Sequence, residues 1–254
     1  MKTALSIAGF DPTSGAGVSS DIKVFRSQNV YGLGIVSSIT AQNTLGLQHI
    51  EPVSGSSVAK QLNAVLDDIL PDASKAGMIY DKGIINLICN EIDAGRIKNM
   101  VVDPVILSST GRPLLRKDAL KPLINELIPR CRVVSPNIHE ASVITGISIY
   151  GIEEMYLAAE KFCGLGAENV VIKGGHLENM AVDVLFDGEK YYEYKSDKIS
   201  GWYHGTGCVF SAAIAAGIAS GRSVQESVKK AKVFMKRSIE KSLQIGKGMK
   251  FLGI

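Results

Sequence analysis

LSIAGFDPTSGAGVSSDIKVFRSQ (residues 5–28) moves from an apolar run, through a turn holding Gly9, Gly15 and Gly17, into a stretch whose apolar residues recur at helical spacing. LSIAG (5–9) reads as a buried strand, GFDPTSGAG (9–17) as a tight turn, and VSSDIKVFRSQ (18–28) as a helix. Glycines in such a turn let backbone N–H groups approach a ligand closely. The loop lacks the GK[ST] of a Walker A sequence and is not a clean GxGxxG, so by itself it is equally a plain strand–helix connection. Asp11 within it either bonds a substrate hydroxyl or caps the turn.

The same rhythm continues outward. GIVSSIT (34–40), SKAGMIY (74–80), NMVVDPVIL (99–107), CRVVSPN (131–137) and NVVIKGG (169–175) are strand-like runs. Between them, SVAKQLNAVLDDIL (57–70), GIINLICNEIDAG (83–95) and EEMYLAAEKFCGLG (153–166) carry apolar residues at three and four, the last closing on a C-cap glycine. Strands separated by helices predict a parallel, doubly wound α/β sheet. The segment AVDVLFDGEKYYEYKSDKI (181–199) breaks the pattern, because Asp187-Gly188 between two strand-like halves predicts an antiparallel hairpin at the sheet edge. No linker or repeat is visible, which makes residues 1–254 one domain.

Composition narrows the function. Net charge is +3, with 21% charged and 46% apolar residues, so no nucleic-acid footprint is present. Lys229, Lys230, Lys232, Lys236 and Arg237 read as the solvated face of a late amphipathic helix. Cys89, Cys131, Cys163 and Cys208 form no CxxC pair, which argues against structural zinc and disulfides and for a reducing compartment. The apolar start is cut short by Gly9 and Asp11, and the run Val209 to Ala219 is below the ~18 residues of a spanning helix. A cytoplasmic protein without membrane partners is expected.

Four polar stretches begin where strands end, the place where doubly wound sheets bind ligands: 9–17, Asp103 to Val105, Pro136 to Glu140, and Lys173 to His176. In AQNT (41–44), the amides Gln42 and Asn43 offer both donor and acceptor to a heterocycle edge, or else close a turn. In SPNIHE (135–140), Asn137 and Glu140 either cap a helix or orient water on Mg²⁺. Lys173 in KGGH is a compact cation suited to phosphate, or else a surface lysine before a turn. HGTGCVFSAAIAAG (204–217) combines a glycine nest with a helix N-terminus, an arrangement for an oxyanion or phosphoryl group. Cys208 in the first helical turn is expected to have a lowered pKa.

Together, SIAGFDPTSGAGVSSDIK, AQNTLGL, SKAGM, VVDPV, SPNIHEASVITG, VIKGGH and HGTGCVFSAAIAA resemble, in order and spacing, the hydroxymethylpyrimidine/phosphomethylpyrimidine kinases of thiamin biosynthesis, members of the ribokinase-like superfamily. The resemblance implies a single ribokinase-like domain with a central, mostly parallel sheet flanked by helices. It implies ATP- and Mg²⁺-dependent phosphorylation of 4-amino-5-hydroxymethyl-2-methylpyrimidine and then of its monophosphate, and a homodimer. By motif match Gln42 meets the aminopyrimidine, with Met78 and Val105 on the ring and Asp11 nearby. Gly205, Thr206 and Gly207 form the anion hole, Cys208 stands at the catalytic base, and Lys173 contacts transferred phosphate. Asn137 and Glu140 organise Mg²⁺–ATP, the metal through water, with Asp103, Lys173 and Thr206 near the phosphates. Ser14, Ile138-His139 and Lys247 depart from the usual family pattern, and LSSTGRP (107–113) is a candidate lid. No fused synthase or regulatory domain is expected. A pyridoxal/pyridoxine kinase of the same fold and a non-catalytic pyrimidine sensor are the alternatives.

Overall fold

The computed structural model describes residues 1–108, 110–175 and 181–254. His176 of the KGGH motif and Ser109 of the 107–113 segment lie outside the described residues. Nine strands form one sheet in the order β3-β2-β1-β4-β5-β6-β7-β8-β9. The strands are β1 (Thr3–Phe10), β2 (Tyr31–Asn43), β3 (Gly46–Pro52), β4 (Ala73–Ala76), β5 (Met100–Val102), β6 (Val133–Val134), β7 (Val170–Gly174), β8 (Ala181–Phe186) and β9 (Tyr191–Ser196). From β2 through β7 neighbouring strands run parallel. The flanking pairs β2–β3, β7–β8 and β8–β9 are antiparallel. The hairpin at 181–199 is present, its turn closed by Asp187 Oδ1 accepting from the backbone N–H groups of Glu189 and Lys190.

Period-two alternation divides the apolar side chains between the faces. Leu5 and Ile7 of β1, Met100 and Val102 of β5, and Val170 and Ile172 of β7 enter one core. Ala4, Val101 and Val171, one residue out of phase, enter the other. The first core is closed by α2 (Gly55–Leu66), α3 (Lys82–Asp93), α5 (Ile138–Thr145) and α6 (Ile152–Gly164). A stretch over 117–130, in which the single α turn α4 (Leu120–Pro122) lies between 3-10 and π geometry, joins them. The second core is closed by α1 (Gly17–Ser27), α7 (Thr206–Ala219) and α8 (Val224–Glu240). Every residue of α7 from Val209 to Ala219 is buried, because α7 lies between the sheet, α1 and α8. Helix starts carry local signals: Ser54, Asp81 and Ser223 each accept a backbone N–H of the first turn.

Two strand readings are corrected. NMVVDPVIL does not extend to Leu107, since β5 stops at Val102. Asp103 still donates its N–H to Ala76 O at 2.9 Å, but Pro104 has no N–H to continue the ladder. SKAGMIY likewise leaves the sheet after Ala76. β3 is an edge strand whose pattern is polar and largely exposed, which gives it little period-two signature. Near the C-terminus, β11 (Lys250–Phe251) pairs with β10 (Tyr203–His204) in a separate two-stranded sheet, so the tail is docked against the HGTGC segment.

Gly217 sits where α7 meets α8. A Cβ there would lie 2.6 Å from Ser227 Oγ and 3.1 Å from Ser227 Cα. Gly217→Val is therefore expected to force the helices apart and lower stability by about 1–3 kcal/mol. The check is urea unfolding, with the midpoint falling and the slope unchanged.

Candidate active site

The chain leaves β1 for β2 on one side and later places β4 on the other, so the switch point lies at β1/β4. The loop that follows β1 is built around Asp11, which is 2% exposed. Its Oδ1 accepts from Thr13 N (2.8 Å) and Thr13 Oγ1 (2.8 Å), and its Oδ2 from Ala16 N (2.9 Å), Gly15 N (3.2 Å) and His204 Nε2 (2.8 Å). Burial pushes this carboxyl upward, but hydrogen bonds from His204, Gln42 and Thr13 outweigh it and hold the pKa at about 2. Of the two readings of Asp11, the turn cap is present, its oxygens accepting from the loop and from His204.

Gly205 N-caps α7 with φ +78°, a left-handed conformation natural to glycine. A side chain there would collide with Gly15 O, and one at Gly17 (φ +64°) with Gly9 O. The two glycine loops thus touch backbone to backbone. This contact sets the start of α1 beside the first turn of α7, which carries Cys208. The thiol therefore lies at two helix starts. Its pKa nevertheless moves opposite to expectation: burial pushes the Cys208 thiol up, Lys75 pulls it down, and Asp103 and Asp21 push it up again. Two helix ends do not offset desolvation and two nearby carboxylates.

The amide hydrogens of Thr206, Gly207 and Cys208 belong to the first turn of α7 and have no intrahelical acceptor. A Cβ at Gly207 would stand 3.2 Å from Lys173 Nζ and 3.5 Å from Asp103 Oδ2. The nest therefore opens toward the Lys173–Asp103 pair, whose Nζ–Oδ1 distance is 2.6 Å. Ser211 Oγ donates to Asp103 Oδ2 at 3.3 Å and to Gly207 O at 3.0 Å. Burial lowers the Lys173 pKa, but Asp103 and Glu140 more than restore it, so the ammonium is charged. A cradle that any side chain would narrow, unpaired amides and a buried cation fit a phosphoryl group.

Asn137 and Glu140 face one another in a capping box at the start of α5. Asn137 Oδ1 accepts from Glu140 N (2.9 Å), and Glu140 Oε2 accepts from Asn137 N (2.8 Å). Glu140 is 3% exposed. Burial pushes its pKa up, Lys173 pulls down and Asp103 pushes up, leaving it at about 7. Asp103 and Glu140 place carboxylate oxygens beside the nest, a donor set that fits an ion held mainly by phosphate and water oxygens, as Mg²⁺ commonly is.

Met78 and Val105 join Leu47, Leu114, Ile50 and Tyr80 in a small apolar cluster apart from both cores. Gln42 opposes Leu47 across β2–β3, just after a register shift between Ala41 and Gln42 that re-aims its side chain. Gln42 Nε2 lies 3.4 Å from His204 Nε2, and Phe251 of the tail sets its ring edge-on to His204 with centroids 6.1 Å apart. The structure brings together Cys208, Gly205, Thr206, Gly207, Lys173, Asp103, Asn137 and Glu140 on one side. Gln42, Met78, Val105 and Asp11 gather on the other. His204, Ser211 and Phe251 were not singled out. His204 was visible within HGTGC, whereas nothing local marks Ser211 or Phe251. Lys247 is exposed, and the docked tail works through Met249 and Phe251: Met249 N donates to Thr44 O at 2.8 Å.

Because the Asp11 carboxyl is depressed from its ordinary 3.8 to about 2, it contributes stability that is complete above pH ~4 and lost as pH falls toward ~2. The contribution is about 2 kcal/mol. Urea midpoints measured from pH ~5 down to ~2 should fall less steeply in Asp11→Asn than in the parent chain.

The family model for phosphomethylpyrimidine kinase matches residues 11–252. A Bacillus subtilis hydroxymethylpyrimidine/phosphomethylpyrimidine kinase is 38% identical over 248 residues, covering 96% of this chain and 92% of its own. A crystal structure of phosphomethylpyrimidine kinase from Clostridium difficile superposes with TM-score 0.85 at 37% identity, covering 94% of this chain and 100% of its own. The Staphylococcus aureus pyridoxal kinase in complex with AMP-PCP and pyridoxal gives TM-score 0.92 at 31% identity, covering 100% and 93%. With a shared ribokinase-like sheet and a full-length match, the chain belongs to the phosphomethylpyrimidine kinase family.

Proposed function

We propose that this protein transfers the γ-phosphoryl group of ATP to the hydroxymethyl oxygen of 4-amino-5-hydroxymethyl-2-methylpyrimidine, and then phosphorylates the monophosphate to the diphosphate for thiamin biosynthesis. The observation that carries the reading is the glycine nest at the start of α7, which holds Cys208 in its first turn and opens on Lys173 and Asp103. The relatives' names support the pyrimidine, and the complex of a related kinase with AMP-PCP supports ATP as donor.

In the first step the substrate oxygen bonds to the γ-phosphorus, the bond to the leaving ADP oxygen breaks, and the hydroxyl proton passes to the Cys208 sulfur. Such a proton transfer is worth roughly 10²–10⁴ in rate. The amides of Thr206, Gly207 and Cys208, with Lys173, meet negative charge on the transferred group. Asp103 holds the Lys173 ammonium in place through its 2.6 Å bond. Mg²⁺, when bound, neutralises charge across the phosphate oxygens, and Asn137 and Glu140 are the residues that would stand beside its waters. Met78 and Val105 pack against the pyrimidine, and Gln42 bonds its edge. A homodimer belongs to the same reading, by family resemblance. Among the described residues no helix is long and apolar enough to cross a membrane, in keeping with a cytoplasmic enzyme.

The two phosphorylations ask different things of Cys208. An alcohol must lose a proton, whereas a phosphomonoester is already largely dianionic above its second pKa of about 6. Cys208→Ala should reduce kcat for the first step by roughly 10²–10⁴ and spare most of the second. Equal losses would make the cysteine a binding contact. Since burial holds this thiol above its ordinary 9.0, the first-step rate should climb with pH up to and beyond about 9, a climb absent from the second step. Coupled ADP-release assays with the pyrimidine and with pyridoxal separate this function from the pyridoxal kinase reading. No turnover of either would leave the pyrimidine sensor.

A further inference from the structure

Lys232 is set apart from the other basic residues of α8. Lys229, Lys230 and Arg237 are exposed, as a solvated face requires. The Lys232 side chain is only 13% exposed, and its Nζ donates to Asp183 Oδ2 at 2.8 Å and to Ala181 O at 2.9 Å. Asp183 is itself buried, and its Oδ1 accepts from the Gly174 N–H at 3.0 Å. That bond fixes the end of β7, one residue beyond Lys173. It also brings a carboxylate close to the cation of the nest, because Asp183 stands directly opposite Lys173 across the β7–β8 ladder. Both are in phase with Val171 and Leu185, an opposed pair that enters the second core, so the two side chains rise together from the sheet face covered by α7 and α8. Opposed residues hold their Cβ atoms about 4.5–5.5 Å apart, within the span of a lysine. Lys173 turns instead to Asp103 at 2.6 Å, toward Gly207.

We propose that Lys232 is a positioning residue for phosphoryl transfer: it occupies the Asp183 carboxylate and so leaves the Lys173 ammonium directed at the anion nest. Two lysines and two carboxylates on one face admit more than one pairing, and the third dimension of the fold selects the useful one. Asp183 closes the end of β7 through Gly174 and is held there by that bond. Without Lys232 its charge would be buried and uncompensated, and the cation standing opposite it is Lys173. The ammonium would then be shared between Asp103 and Asp183 and drawn along the strand face, away from Gly207. Lys232 prevents this by arriving from α8, 59 residues further along the chain than Lys173 and outside the nest itself, with Ala181 O as a second acceptor that fixes its approach. The inference rests on the reading that Lys173 meets the transferred phosphate.

The test measures the binding of AMP-PCP and of ADP, each with Mg²⁺, by titration calorimetry, with pyrimidine turnover alongside. Only AMP-PCP carries the group that Lys173 faces. Lys232→Met should therefore weaken AMP-PCP by about 10–100-fold, leave ADP unchanged, and lower kcat while the KM of the pyrimidine stays put. Adding Asp183→Asn removes the competing charge and keeps an oxygen for the Gly174 N–H. The double variant should return AMP-PCP affinity to within about threefold of the parent. Lys232→Arg keeps the charge and should bind both nucleotides as the parent does. Lys232→Gln, which still donates to Asp183 but carries no charge, serves where Lys232→Met does not fold, with the same loss and the same rescue expected. A packing role alone would lower Tm and leave the ratio of the two affinities as it was. An unchanged ratio in the folded Lys232 variants, or a loss that Asp183→Asn does not restore, overturns the inference. Lys173→Met separates the two levels. If it leaves AMP-PCP binding unaltered, Lys173 does not meet the phosphate and both readings fall. If it weakens AMP-PCP while the Lys232 variants keep the parent ratio, only the role of Lys232 falls.

Discussion

The site depends on two backbones approaching more closely than any side chain would allow. Gly205, in a left-handed conformation, presses on Gly15, and Gly17 presses on Gly9. The loop that ends β1 and the start of α7 are distant in sequence, and this contact joins them. It sets the α1 start beside the α7 start and Asp11 beside His204. Placing a Cβ at either glycine would push the anion nest away from the ring site, so one steric requirement links the groups that hold phosphate to the groups that hold the ring.

Electrostatics then works against desolvation throughout this region. Lys75 and Asp21 form an ion pair with no exposure, their nitrogen and oxygen 2.8 Å apart, and Ser6 Oγ donates to the same carboxylate. Such a pair gives weak net stability in a low-dielectric interior. It does put fixed charge next to Cys208 and Asp103. Lys173 and Asp103 repeat the pattern closer to the nest. Opposed charges keep both lysines ionised, and the resulting field includes enough carboxylate to leave Cys208 a thiol at rest. Cys208 is therefore mostly a thiol, and it can take the substrate proton only through its thiolate fraction, which grows with pH.

The parallel framework was legible because apolar runs and helical periods repeat along the chain, and the Asp187-Gly188 hairpin because its turn chemistry is local. The motif residues were legible as types: glycines where backbones meet, a lysine at a strand end, an amide in the last residues of β2, where it pairs with β3. Readings failed where a neighbour far along the chain decides. β5 looked three times its length because Val, Ile and Leu continue past Pro104. The sequence left Asp11 open between substrate and turn, because nothing nearby shows His204 arriving from the other end of the chain. The Asn137–Glu140 alternatives both rested on real features, and the structure shows the capping box directly.

Local chemistry in the chain, then, determined the order of strands and helices, the glycine turns and the set of reactive side chains, since each depends on residues only a few positions apart. Tertiary structure alone decided the proton affinity of Cys208, the sheet edge at β3, the docking of β11 beneath His204 and the closeness of Gln42 to His204. These depend on desolvation and on hydrogen-bond partners far along the chain, 193 residues away for Asp11 and His204. No periodicity or spacing records such partners, because the folded chain brings them together only when both cores are closed.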